Sequence, residues 1–212
     1  MMAEKGRFIV VEGLEGAGKS TAIATIKRFL APHVDELIVT REPGGTRVGE
    51  AARQLIKTKN PDEPLDPRAE LLLFYAARVQ LIERVIRPAL ARGAWVVADR
   101  FELSTFAYQG GGRQLDDQMI TQLSSFCVQN IKPDLTLFLD LSPEEGLKRV
   151  IKRGKTDRIE EESMRFFKLV YASYLEHLSK TDAVIMIDAS KSLGQVQHLI
   201  RRSLEQYMVL HA

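Results

Sequence analysis

Cysteine is nearly absent. The only one in 212 residues is Cys127. It excludes an intrachain disulfide framework and Cys-rich zinc sites, and it suits a reducing compartment. Long apolar runs are missing as well. None approaches the roughly 20 residues of a membrane span, and Met1–Arg7 has no apolar stretch of the kind a secretory leader needs. The expectation is a cytoplasmic protein without a membrane anchor. Neither sign of charge is in excess: 30 Lys and Arg stand against 28 Asp and Glu, a formal net charge of +2. That balance argues against a dedicated nucleic-acid surface. Internal repeats and low-complexity segments are also lacking. What remains is 45% hydrophobic and 27% charged, the composition of a globular chain with a sizeable core. A single domain spanning residues 1–212 is expected.

Five short apolar runs read as buried strands: Phe8–Glu12, Leu37–Thr40, Trp95–Asp99, Leu135–Asp140 and Val184–Asp188. They are near-continuous and rich in β-branched residues, as parallel strands covered on both faces would be. Helical stretches alternate with them: Lys19–Leu30, Thr46–Lys57, Pro67–Ala91, Asp116–Gln129, Pro143–Lys152, Glu160–Ser179 and Ser192–Tyr207. The alternation predicts an α/β fold, a five-stranded parallel sheet with helices on both faces. Ligands in such sheets sit beyond the carboxyl ends of the strands. A mobile flap is expected at about residues 149–160, around Arg153–Arg158.

GLEGAGKS, Gly13–Ser20, completes the G-x-x-x-x-G-K-[ST] pattern between a strand and a helix. Its glycines let backbone N–H groups converge on phosphate oxygens, and the helix N-terminus adds partial positive charge. Lys19 is expected on the β- and γ-phosphates and Ser20 on Mg²⁺. Such a loop does not say what receives the phosphoryl group. No GTPase base-reading motif follows; TKNPD at Thr58–Asp62 has the wrong spacing and reads as a Pro-containing turn. Two strands end in aspartate. Asp99 is preferred for Mg²⁺ because Arg100 follows it; Asp140 precedes Ser142, which reads as a helix N-cap. Phe74 and Arg78 lie four apart, on one face of their helix. An aromatic platform with a guanidinium suits a pyrimidine, although from spacing alone such a phenylalanine is more often a core residue.

At this point the chain resembles the thymidylate kinase family, P-loop nucleoside monophosphate kinases that convert dTMP to dTDP. The matching stretches are EGLEGAGKST (Glu12–Thr21), TREPGGT (Thr40–Thr46), LLLFYAAR (Leu71–Arg78), DRFELSTFAYQGGGR (Asp99–Arg113) and KRGKTDRIE (Lys152–Glu160). The bacterial branch is the nearest in pattern. The resemblance implies a P-loop NTPase fold, ATP as phosphoryl donor, Mg²⁺ as cofactor, a place in dTTP synthesis and a homodimer. It puts Gly13, Leu14, Glu15, Gly16, Ala17, Gly18, Lys19, Ser20, Thr21, Arg149 and Arg153 at ATP, and Ser20 and Asp99 at the metal. It gives dTMP to Glu15, Glu42, Pro43, Phe74, Arg78, Arg100, Ser104, Thr105, Tyr108 and Gln109.

Within that set, the resemblance turns the Glu15 carboxylate towards the sugar 3′-hydroxyl and stacks Phe74 on the base. Arg78 goes to O4, Thr105 to N3 and Arg100 to the acceptor phosphate, while Tyr108 crowds the 2′ position. Gln109 opens a turn through Gly110–Gly112 at the pocket rim, and Tyr174 closes the pocket or packs in the core. Some relatives carry arginine where this chain has Gly16. A flap arginine is then expected to reach the transition state, Arg153 before Arg149 or Arg158. Catalysis rests with Lys19, Arg100, Arg153 and Glu15. Two alternatives stay open: a kinase with another nucleotide or nucleoside acceptor, and a regulatory ATPase without an acceptor. The homodimer is expected to form through helices 67–91 and 116–129.

Overall fold

The computed structural model describes residues 6–154 and 156–210. Residues 1–5 and 211–212 of the expected domain, and residue 155 of the expected flap, lie outside the described residues. The chain runs β1 (Phe8–Glu12), α1 (Lys19–Leu30), β2 (Leu37–Arg41), α2 (Arg47–Lys57) and α3 (Pro67–Leu81). A π-helical turn (Ile82–Ile86) leads into α4 (Arg87–Ala91), β3 (Trp95–Asp99) and α5 (Glu102–Thr105). A second π-helical stretch (Phe106–Gly112) precedes α6 (Asp117–Cys127) and β4 (Leu135–Asp140). Then come α7 (Pro143–Arg153), α8 (Met164–Leu178), β5 (Val184–Asp188) and α9 (Leu193–Leu210). All strands are parallel, in the order β2-β3-β1-β4-β5.

The two faces of β1 explain the two helical layers. Ile9 and Val11 point to one side, where Ile26 and Leu30 of α1 and Ile200 and Leu204 of α9 cover them. Phe8 and Val10 point to the other, against Leu71, Tyr75 and Leu81 of α3 and Ile120 of α6. A third cluster joins Leu14, Phe138, Phe167, Val170 and Tyr174, and seats α8 over the carboxyl end of the sheet. Side-chain caps mark several helix starts: Thr46, Asp66, Asp116, Ser142 and Ser163 each accept a backbone N–H.

Three expectations change. Pro67–Ala91 is not one regular helix, because the π-helical turn at Ile82–Ile86 interrupts it. Residues 160–163 are not helical, and α8 begins at Met164 behind its Ser163 cap. Gln109–Gly112 is not a rim turn but the second half of a π-helical stretch. Its glycines serve close packing: a Cβ on Gly111 would sit 2.5 Å from Ser173 Cβ, and one on Gly112 2.5 Å from the Phe166 ring, both on α8. A run of glycines fits a turn as well as it fits close packing, because both use the same residue.

Candidate active site

A cleft of about 450 Å³ opens where the carboxyl ends of β1, β2 and β3 meet α2, α3 and α7. The chain enters it through the loop after β1. Gly13, Gly16 and Gly18 have φ of 141°, 76° and 92°, so the loop needs glycine at these turns. Leu14 and Ala17 are buried beneath it. Gly13, Leu14 and Ala17 therefore shape the loop from below, whereas Glu15, Gly16, Gly18, Lys19, Ser20 and Thr21 line the cleft. Lys19 Nζ donates to the carbonyls of Gly13 and Leu14 at 3.1 and 2.9 Å. Burial lowers its pKa to about 8, and the nearby Arg100 cation adds to the fall.

Glu15 points away from the loop. Its Oε1 accepts from Arg100 Nη2 at 2.7 Å, and its Oε2 accepts from the Tyr108 hydroxyl. Arg100 also donates from Nη1 to Ser104 Oγ and the Tyr174 hydroxyl, at 3.1 and 3.0 Å, and from Nη2 to the Tyr108 hydroxyl at 3.0 Å. Tyr174 is thus both core and site: its ring is fully buried and its hydroxyl reaches Arg100. Asp99, Arg100, Ser104, Tyr108, Gln109, Phe74, Glu42 and Pro43 all face the cleft.

Arg78 and Thr105 do not line its wall. Thr105 is fully buried and Arg78 is 1% exposed. Arg78 donates to Glu42 Oε2 from Nε at 2.8 Å, and from Nη2 to the Phe101 carbonyl and Thr105 Oγ1 at 3.2 and 2.9 Å. Helical spacing puts Phe74 and Arg78 on one face, but Phe74 reaches the surface while Arg78 turns under Glu42. Arg78 Nη1 and Glu42 Oε1 are buried with no hydrogen-bond partner among the described residues. One donor and one acceptor of the pair are therefore unspent. Burial pushes the Glu42 carboxyl up to about 7, with the Arg78 guanidinium opposing the rise.

Arg149 lines the cleft, tied through Nη1 to the Gly16 carbonyl at 3.4 Å and through Nη2 to the Ala189 carbonyl at 3.1 Å. This brings the turn after β5 beside the loop. Arg153 closes α7, is 56% exposed and pairs with Glu160 at 2.5 Å. Arg158 turns away from the cleft, to Glu70 and the Ile56 carbonyl. Asp140 Oδ1 accepts from the Tyr171 hydroxyl at 2.7 Å. Asp99 Oδ1, by contrast, is buried without a hydrogen-bond partner among the described residues.

Sequence reasoning missed Arg41, Arg53, Lys57, Asp157 and Ile159, which also line the cleft. On α2 the basic residues read as a solvated face, and no motif marks them. The loop's close contact with α7 was equally invisible. A Cβ on Gly16 would collide with the Gly146 carbonyl, and one on Gly146 would lie 2.6 Å from the Glu15 carbonyl.

The buried pair gives a measurable expectation. Arg78→Leu leaves Glu42 buried without its cation and should cost up to about 3–5 kcal/mol where Glu42 is ionised, above neutral pH. Without Arg78 the Glu42 pKa rises further above its ordinary value. The folded state then favours the protonated acid, so the loss should be largest above about pH 7 and shrink towards pH 5. Urea unfolding at both pH values checks this; a loss that grows on acidification would contradict the assignment.

The family model described as thymidylate kinase matches residues 11–200. Thymidylate kinases of Legionella pneumophila strains Paris and Corby are each 51% identical over 208 residues, which is 98% of this chain and 98% of each relative. With the phosphate loop, the cleft and nearly the whole length in agreement, the chain belongs to the thymidylate kinase family.

Proposed function

We propose that the protein transfers the γ-phosphoryl group of ATP to dTMP, giving dTDP, and that the cleft is where the two nucleotides meet. The observation that carries this is the loop's two-sidedness. Lys19 turns to the loop's own carbonyls, while Glu15 turns away from the loop to Arg100 and Tyr108. A hydrolase or switch has no need of a second, cation-bearing compartment across the loop.

The donor's phosphates lie along Gly13–Thr21, with Lys19 on the outer phosphates and Arg149 beside the base-side turn. Ser20 and Asp99 would hold Mg²⁺, which supplies charge neutralisation to the phosphates. The orphaned Asp99 Oδ1 at the cleft supports this, since Mg²⁺ in kinases takes one or two protein oxygens and completes its shell with phosphate and water. The acceptor stacks on Phe74. Arg78 Nη1, buried without a described partner, supplies the donor for a base carbonyl, with Thr105 beneath it. Gln109 and Ser104 complete the wall, and Glu42 and Pro43 the sugar side. Arg100 grips the acceptor phosphate, and Glu15 exchanges that cation for the sugar 3′-hydroxyl. Tyr108 fills the space a 2′-hydroxyl would need.

An ionised phosphate needs no strong general base. Catalysis is positioning and charge neutralisation by Lys19, Arg100 and Arg153. Arg153 suits the mobile part because its side chain is 56% exposed at the end of α7 and lines the cleft. The flap, 149–160, closes over the reaction and excludes water. The chain forms one kinase domain and works as a homodimer. Supporting the dimer, Leu72 on α3 and Met119 and Phe126 on α6 are 56%, 49% and 80% exposed. No described helix is long and apolar enough to cross a membrane, and we place the enzyme in the cytoplasm.

A coupled assay with ATP and a panel of nucleoside monophosphates tests the reading. Turnover with dTMP should dominate; equal turnover of another nucleotide, or hydrolysis without an acceptor, would overturn it.

The Lys19 ammonium, lowered to about 8, is charged below that pH and neutral above it. Phosphate binding requires the charged form, so KM for ATP should be flat near pH 7 and climb above about pH 8. An ATP KM that stays constant to about pH 9 would remove Lys19 from the phosphates.

Arg153→Ala should lower the single-turnover rate at saturating substrates by about 10³-fold or more, with dTMP affinity little changed because the contact forms in the transition state. A normal chemical step would move the role to Arg149, since Arg158 is tied to Glu70.

A further inference from the structure

We propose that Glu12 is a positioning residue: its buried carboxylate fixes the proton direction of two hydroxyls so that both present lone pairs to the Arg100 guanidinium that receives the acceptor phosphate. This rests on the reading of Arg100 as the phosphate ligand.

Glu12 is the last residue of β1 and is fully buried. Its Oε1 accepts from the backbone N–H groups of Phe101 and Ser104, at 2.9 and 3.3 Å. Its Oε2 accepts from Ser104 Oγ at 2.6 Å and the Tyr174 hydroxyl at 2.9 Å. The same two oxygens accept from Arg100 Nη1, and they lie 2.7 Å from each other. An ionised carboxylate only accepts hydrogen bonds and a guanidinium only donates them. Two hydroxyls between such groups keep their lone pairs towards Arg100, with their protons either both on Glu12 or relayed from one hydroxyl through the other to Glu12.

The backbone adds a second argument. Arg100 has φ of 71°, a left-handed position that a non-glycine residue holds only under constraint. Its N–H is held by the Val11 carbonyl at 2.9 Å, directly before Glu12. The next N–H in the chain, that of Phe101, goes to Glu12 itself. Carboxylate and strand end therefore clamp the turn from which the Arg100 side chain departs. Burial raises the Glu12 pKa, with the Arg100 cation the foremost opposing influence.

Glu12→Gln keeps the shape and breaks the polarity. A carboxamide offers one acceptor oxygen and a donating NH₂, so it cannot accept from all four donors. One hydroxyl must then turn its proton towards Arg100. Equilibrium titration of the full-length enzyme with dTMP and with thymidine isolates the effect, because thymidine lacks the phosphate. The ratio of dTMP to thymidine affinity should fall about tenfold or more in Glu12→Gln, the scale of a disturbed hydrogen bond to a charged group. Thymidine affinity and KM for ATP should stay within about twofold. Tyr174→Phe, which keeps the ring and removes one hydroxyl, should lower the ratio about threefold or more. A Glu12→Gln enzyme with an unchanged ratio, or one that loses dTMP and thymidine equally, overturns the proposal. Should Glu12→Gln fail to fold, an unchanged ratio in Tyr174→Phe overturns it. A wild-type enzyme that binds thymidine as tightly as dTMP overturns the phosphate assignment of Arg100, and the inference falls with it.

Discussion

One guanidinium ties the cleft together. Arg100 follows the last residue of β3, next to the central strand, and its donors reach the loop after β1, the π-helical stretch after α5, and α8. A buried cation is tolerated only when its donors are satisfied and opposite charge is near. Glu15 and Glu12 provide that charge. The elements bearing these groups cannot shift independently without leaving a charge unpaired, so the three sides of the cleft behave as one unit.

The flap is mounted differently. Beyond the Arg153–Glu160 pair, it is fastened to α2 and α3. Lys57 pairs with Asp157 at 2.5 Å, Arg158 Nε donates to the Ile56 carbonyl at 2.7 Å, and Glu70, 1% exposed, takes both Arg113 and Arg158. Glu70 also accepts from Gln109 Nε2 at 2.7 Å, and Gln109 faces the cleft. The distal base of the flap and the acceptor wall therefore share one buried carboxylate, while Arg153 ends α7 with its side chain 56% exposed.

The sheet was legible because strands covered on both faces must be apolar throughout, and all five runs became strands in their expected places. The phosphate loop was legible because backbone geometry dictates its glycines. Arg78 shows where such reading stops. A helical arginine is ordinarily a surface residue, and only tertiary packing reveals that this one lies under Glu42. Arg41 and Arg53 illustrate the converse: nothing local separates a basic residue facing a cleft from one facing water. The π-helical stretch at Phe106–Gly112 was hidden for a third reason, since the glycines that admit α8 are those that would build a turn.

The contact between Gly16 and Gly146 has a mechanical side. Neither residue tolerates a side chain, so the loop's outer turn rests on bare backbone near the start of α7. Arg153 lies seven residues further along the same helix, an arm of about 10 Å at 1.5 Å per residue. With the contact as fulcrum, a tilt of about 10° would carry the base of that arginine through about 2 Å, with little displacement where the helix touches the loop. The helix is then a lever whose short end is fixed by glycine against glycine, and whose long end carries the charge.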